Sequence, residues 1–180
     1  MGKRYPEITL EMQAFIARQK VFFVATAESQ GRINLSPKGL DGLRVVDSNT
    51  VVWLNLTGSG NETAAHLRTS PRMTLMFCAF EGDPMILRLY GEARAIHRRD
   101  QEWKDHIGLF GTRLGARQII VMKVDLTQTS CGFGVPLYDF RTERDALPIW
   151  AERKGEDGLR TYQEQKNIIS LDGKPTGMIT

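Results

Sequence analysis

Six or seven short apolar runs follow one another with turns between them and few helices. This spacing limits the folds open to the chain more than any other feature. Val21 to Thr26 is β-branched and aromatic, the composition of a buried strand. Ser29-Gln30-Gly31 is a hairpin turn, and Arg32 to Ser36 alternates polar and apolar as a half-buried strand does. Pro37-Lys38-Gly39 ends that run and Asp41-Gly42 turns the chain again. Leu43 to Val46 and Thr50 to Leu56 are strands about Asp47-Ser48-Asn49, and Met73 to Phe80, Met85 to Ile96 and Gln118 to Val124 complete the set. Gly91 inside the long run predicts a bulge or a close backbone approach. The alternation there puts Arg88 and Tyr90 on the face opposite Leu87 and Leu89. A parallel doubly wound sheet needs a helix between successive strands, so the pattern predicts an antiparallel barrel.

Helical spacing is confined to the flanks. Met12, Phe15 and Ile16 predict a helix over residues 9–18, and Trp103, Ile107 and Phe110 predict another over 98–110. Ser130 to Pro136 is too rich in glycine for a strand interior. Residues 143–153 and 156–166 are charged and helical in pattern, and 167–175 reads as an extended tail with a turn. No repeat or low-complexity linker interrupts the chain, which predicts one domain over residues 1–126 and a C-terminal extension over 127–180.

Composition removes several classes of function. The 180 residues are 41% hydrophobic and 25% charged, the balance of a soluble globular protein. No apolar run approaches the roughly 20 residues of a membrane span, and Met1-Gly2-Lys3-Arg4-Tyr5-Pro6 is not followed by a signal core. A net charge of +3 is too mild for a nucleic-acid binder but favours small anions slightly. Cys78 and Cys131 lie far apart without a CxxC partner, which predicts reduced thiols and a cytoplasmic protein. His66, His97 and His106 share no metal-ligand spacing, so no metal site is expected.

Chemistry concentrates where Val51 to Leu56 runs into Thr57-Gly58-Ser59-Gly60-Asn61 and a short helix ended by Ser70-Pro71. A strand, a glycine turn and a helix start leave backbone N–H groups pointing outward, where an anion can sit; an ordinary turn capped by Asn61 has the same sequence pattern. Lys38 and Arg88 are the cations that the predicted barrel brings towards this turn, as a point charge and a planar fork of donors. No GxSxG, HExxH or GxxxxGK[ST] motif occurs. An enzyme with this sequence would rely on a cofactor, and the residues alone read as a β-barrel that binds a phosphorylated small molecule.

A family resemblance sharpens this. Ile33-Asn34-Leu35-Ser36-Pro37-Lys38-Gly39, Asp41-Gly42 and Arg44-Val45-Val46-Asp47 resemble the second and third strands of the pyridoxamine 5′-phosphate oxidase-like FMN-binding split barrel. The order that follows does too: Trp53-Leu54-Asn55, the Gly60-Asn61-Glu62 turn, His66-Leu67 with Ser70-Pro71-Arg72, and Leu87 to Ala93. The resemblance covers residues 10–126, and Lys166-Asn167, Ser170 and Asp172-Gly173 resemble one branch of the family.

It implies a mainly β (α+β) fold, a six-stranded antiparallel Greek-key split barrel with flanking helices and a helical C-terminal extension. It also implies a homodimer with two FMN sites at the subunit interface and a small-molecule substrate, without nucleic acid or membrane partners. By the same resemblance, cofactor contacts fall to Arg32, Asn34, Ser36 and Lys38, to Leu54 and Asn55, to Gly60, Asn61 and Thr63, and to Arg88 facing the flavin ring. Relatives place basic residues in the helix-start turn where this chain has Asn61-Glu62, so Glu62 must turn outward, with Lys38, Arg68 or Arg72 compensating. Arg141-Thr142-Glu143 lacks the histidine of the Arg-x-His substrate motif of the true oxidases, which predicts poor activity on pyridoxamine phosphate. The implied function is that of an FMN oxidoreductase, the alternative being a non-catalytic flavin, haem or deazaflavin carrier on the same fold.

Overall fold

The computed structural model describes residues 2–178. Strands β1 (Lys3–Tyr5), β2 (Phe22–Thr26), β3 (Asn34–Lys38), β4 (Leu43–Asp47), β5 (Thr50–Leu56), β6 (Arg72–Cys78), β7 (Ile86–His97) and β8 (Ala116–Ser130) join one antiparallel sheet. Helices α1 (Leu10–Arg18), α2 (Glu62–His66), α3 (Trp103–Ile107) and α4 (Ala146–Lys166) flank it, with a 3-10 turn over Gly108–Phe110.

The sheet runs β3-β2-β6-β7-β8-β5-β4, and β1 adds to β8. Two hairpins, β2–β3 and β4–β5, therefore sit at opposite ends of the β6–β7–β8 meander. Two corrections to the six-stranded barrel follow. Among the described residues the sheet has eight strands, and its edges β3 and β4 do not pair, so the barrel stays open. Pro37 lies within β3, where it can supply no ladder N–H; a strand carrying it is confined to an edge.

Boundaries shift where polar residues are buried. β1 was not expected, because three polar residues have no apolar alternation to reveal them. β8 extends beyond the expected Gln118–Val124 run in both directions. Its C-terminal half, with Thr127, Gln128 and Thr129, is held by pairing to both β7 and β1 rather than by apolar side chains. The expected helix over 98–110 shrinks to α3 and the 3-10 turn, because residues 98–102 form a turn.

Other expectations hold. Met12, Phe15 and Ile16 are the buried face of α1, and Thr9 caps it by accepting from the Met12 N–H at 3.3 Å. The register of β7 shifts at Gly91, and a Cβ there would overlap the Lys123 carbonyl oxygen. Arg88 and Tyr90 do lie opposite Leu87 and Leu89, which are fully buried.

The barrel interior is filled by Val24, Trp53, Leu75, Phe77, Leu87, Leu89 and Met122, and α1 closes one end with Met12, Phe15 and Ile16. Burial of each large apolar side chain contributes about 1.5–3 kcal/mol. A second cluster of Val52, Leu54, Ile96, Ile119 and Val121 lies under Phe110, Trp103 and Ile107. β5 is thus covered on both faces, which accounts for its continuous apolar run.

The extension packs on the chain's own sheet. α4 breaks at Gly155 (φ 64°, ψ 175°), the junction between the two predicted helical stretches. Gln163 donates to Thr57 Oγ1 at 2.7 Å, and Ala151 and Leu159 are buried. The terminal segment then folds back through an Ile169–Pro175 bridge, and Arg99 donates to the Gly177 and Met178 carbonyls at 2.7 Å each.

Candidate functional site

A cleft of about 400 Å³ opens between the end of β3, the end of β5 and the turn into α2. Its volume falls in the ~300–1,000 Å³ range of small-molecule sites. Asn34, Ser36 and Lys38 line one wall, and Leu54 and Asn55 line the floor. Gly60, Asn61 and Thr63 complete the rim, so eight of the ten residues singled out by the resemblance meet in one place.

The other two lie elsewhere. Arg32 points to solvent and pairs with Asp172 of the terminal segment. Arg88 stands on the outer face of β7, where it donates to Ser130 Oγ at 3.3 Å. Arg68 and Arg72 do not line the cleft either. The second cation comes from a residue that sequence reasoning passed over, Arg117 of β8.

Arg117 enters the cleft because β8 carries a bulge. Gln118 pairs with Asn55 and Ala116 with Leu56, which leaves Arg117 as the extra residue between them. Arg117 and Gln118 are buried, at 5% and 0% exposure, within a stretch of β8 from Ala116 to Met122 that is buried throughout. The one sequence signal was a charged residue just before the apolar run of that strand, Ala116-Arg117-Gln118-Ile119-Ile120.

The partners of the guanidinium are all neutral. Nη1 donates to Asn167 Oδ1 at 2.7 Å and Nη2 to Asn55 Oδ1 at 3.4 Å, while the buried Nε has no partner. Burial lowers the group to about 10, so it keeps its charge at neutral pH. Lys38 Nζ stands 5.5 Å from the Trp53 ring centroid. Burial, with the Arg117 charge in second place, pushes its ammonium down to about 8. Neither cation forms an ion pair among the described residues. Two partly desolvated cations without an ion-pair partner leave positive charge in the cleft that a bound anion would offset.

Neutral groups hold the frame. Asn55 Nδ2 donates to Gln118 Oε1 at 3.1 Å and to Asn61 Oδ1 at 3.4 Å. Asn61 precedes α2 but does not cap it; its amide reaches the Asn167 carbonyl at 3.4 Å instead. α2 has a single turn, so the expected helix-end field is slight and the side-chain cations dominate. Glu62 does not leave the cleft as expected: it remains in the lining, with both its oxygens accepting from the Leu171 N–H at 3.1 Å. Gly58 presents bare backbone to the cleft, and a Cβ there would meet no protein atom within 4 Å. Asn34 Nδ2 donates to Thr26 Oγ1 at 3.1 Å and Thr63 Oγ1 at 3.2 Å, leaving its carbonyl oxygen as the group free to accept from a ligand. His66 is buried behind that pair, its Nδ1 3.0 Å from Thr26 Oγ1.

Residues 8–131 match the family model described as pyridoxamine 5′-phosphate oxidase. This chain belongs to the pyridoxamine 5′-phosphate oxidase family. A relative from Aspergillus flavus, the pyridoxamine 5′-phosphate oxidase family protein ustO, is 37% identical over 191 residues, spanning 95% of this chain and 76% of its own length. Among solved structures, HupZ of Group A Streptococcus aligns with a TM-score of 0.56 at 20% identity, covering 68% of this chain and 99% of that one. A pyridoxamine 5′-phosphate oxidase-like protein of Lactobacillus delbrueckii aligns with a TM-score of 0.53 at 16% identity, covering 68% and 94%. At such identities these two carry the fold, a mainly β antiparallel sheet with flanking helices, and nothing more.

The family frame also bounds the extension. The model match ends at Cys131, whereas the match to the Aspergillus relative spans nearly the whole chain. The part of the cleft built by α4 and Asn167 therefore lies outside the family model.

Proposed function

We propose that this pyridoxamine 5′-phosphate oxidase family protein binds FMN in the cleft and acts as an oxidoreductase on a small molecule, as a homodimer with its flavin sites at the subunit interface. The observation that carries the reading is the pair Lys38, half-buried, and Arg117, buried, which both line the cleft without an ion-pair partner among the described residues. A phosphate monoester supplies the missing countercharge, and Arg117 still has its unpartnered Nε to donate. Bound there, FMN would supply electron or hydride transfer that no side chain can perform. Lys38 and Arg117 would hold the phosphate, Gly58 would let backbone approach it, and the Asn34 oxygen would accept from the cofactor or substrate. Membership of the family supports the flavin over other phosphorylated ligands.

A non-catalytic flavin or deazaflavin carrier is the second reading. Glu62 is the one carboxylate lining the cleft, it is tied to Leu171, and no histidine lines it, so the chain brings no free acid–base group to a substrate there. The same lining contains no His, Cys, Met or Tyr, so a haem would find no axial ligand from this chain's cleft.

The deciding experiment is titration of the purified protein with FMN and with riboflavin, followed by absorbance and fluorescence. The reading expects flavin bands that co-elute with the protein and FMN bound at least tenfold more tightly than riboflavin. Equal affinity for the two, or none, overturns it. Reduction of the bound flavin by a nicotinamide donor separates the oxidoreductase from the carrier. With Arg141-Thr142-Glu143 in place of Arg-x-His, FMN-loaded protein is expected to leave pyridoxamine 5′-phosphate unoxidised; steady conversion contradicts this.

A further inference from the structure

We propose that Asn167, in the C-terminal extension, is the positioning residue of the anion site, and that it is an amide so that the Arg117 charge remains available to a phosphate monoester. The inference rests on the reading of the cleft given above and assigns part of its specificity to a segment beyond the family-model match.

Asn167 is fully buried at the end of α4 and meets the cleft from behind. Its Oδ1 accepts from Arg117 Nη1 at 2.7 Å and its Nδ2 donates to the Gly58 carbonyl at 2.9 Å. One side chain thus spans from the buried cation to the glycine turn. The backbone is held as firmly: the Asn167 N–H donates to Gln163, and its carbonyl accepts from Thr176 Oγ1 at 2.6 Å and Asn61 Nδ2 at 3.4 Å. The fold-back of residues 168–176 brings Thr176 into that position.

The choice of amide is the informative feature. A carboxylate of the same size would give Arg117 a charge-assisted partner and neutralise it. It would also lose the donor to Gly58. An amide fixes the guanidinium with one good hydrogen bond and leaves the positive charge uncompensated, which is what an incoming anion needs. The 3.4 Å contact to Asn55 is too long to hold the group by itself.

The test compares wild type, Asn167→Asp and Asn167→Ala as full chains, each titrated with FMN and riboflavin. The ratio of the two affinities is the readout, since a merely structural defect lowers both together. Asn167→Asp is expected to lose at least tenfold in FMN affinity while riboflavin binding changes less than twofold. Asn167→Ala, which adds no charge, is expected to lose three- to fivefold for FMN alone, and it serves if the aspartate variant folds poorly. An unchanged FMN preference in both variants, with wild type still preferring FMN, overturns the role of Asn167 and leaves the cofactor reading standing. A parallel loss of FMN and riboflavin in the variants overturns it too, as a loss of structure. A wild-type protein without any FMN preference removes the cofactor reading and this proposal with it.

Discussion

At the scale of single residues, the site is governed by where charge is left unbalanced. Lys38 and Arg117 lack carboxylate partners, and each charge-assisted hydrogen bond they make to a phosphate is worth about 1.5–3 kcal/mol. Arg117→Met is therefore expected to weaken FMN binding by about ten- to a hundredfold and riboflavin binding little. A titration showing unchanged FMN affinity would remove Arg117 from the site. Lys38 adds a pH dependence. Its ammonium is lowered to about 8 in the free protein, so it is charged below that value and neutral above it. FMN affinity should be highest below pH 8 and fall as pH rises, with the fall displaced upward in the complex because a bound anion favours the charged form. For the free protein the sign is opposite. Between about 8 and the unfolded value of 10.5 the unfolded chain holds the proton that the folded one has lost, so this lysine's contribution to stability rises with pH across that window. Affinity flat from pH 7 to 10, or lost in Lys38→Met at every pH in equal measure with riboflavin, would contradict the assignment.

At the scale of elements, two β-bulges do most of the positioning. Both have their extra residue in β8: one, at Asp125, lies opposite Gly91, where β7 passes close to the Lys123 carbonyl; the other turns Arg117 inward. Gly91 was legible in the sequence because a glycine inside a long strand weakens it and is kept where the backbone bulges or meets another chain segment closely. Gly91→Ala is expected to destabilise the protein by about 1–3 kcal/mol, since the new methyl group must displace the backbone of β8. A urea midpoint within error of wild type would show that the strands can part at no cost. The bulge at Arg117 was not legible, because nothing in the order Ala116-Arg117-Gln118 tells which strand opposes it or in what register. The helices follow the same division. α1 announces itself by spacing and the two halves of α4 by their charged helical pattern, whereas α3 was expected longer because Trp103, Ile107 and Phe110 repeat at turn spacing in a segment that is only partly helical.

For the whole molecule, the open split between β3 and β4 and the exposed apolar side chains bear on assembly. Leu35 on β3 and Phe133, Leu137 and Tyr138 in the segment before α4 are exposed, at 64%, 82%, 72% and 62%. The proposed homodimer would cover apolar surface of this kind. Sedimentation of wild type is expected to report a dimer. A Phe133→Ser, Leu137→Ser double variant is expected to shift it towards monomer and to lower flavin affinity in parallel if the cofactor lies between subunits. A wild-type monomer that binds FMN at full affinity would refute the interface placement. Among the described residues no helix is long and apolar enough to cross a membrane, in keeping with the charge balance of the sequence.

What the sequence determined by itself was the antiparallel β class, the flanking helices, the family, and the segments from Asn34 to Lys38 and from Leu54 to Thr63 that meet in the cleft. The class and the helices are carried by local signals, since strand alternation, turn residues and helical spacing act over a few positions, whereas the family and the cleft segments came from the resemblance of its motifs. The open edge, the second cation and the part of the extension in the site came from the folded arrangement alone. Each depends on pairing between segments far apart in the chain: Arg117 meets Asn55 across 62 residues and Asn167 across 50. No local pattern encodes such a pairing. Arg117 becomes a buried, uncompensated charge only once strand register and the fold-back of the extension have chosen its neighbours.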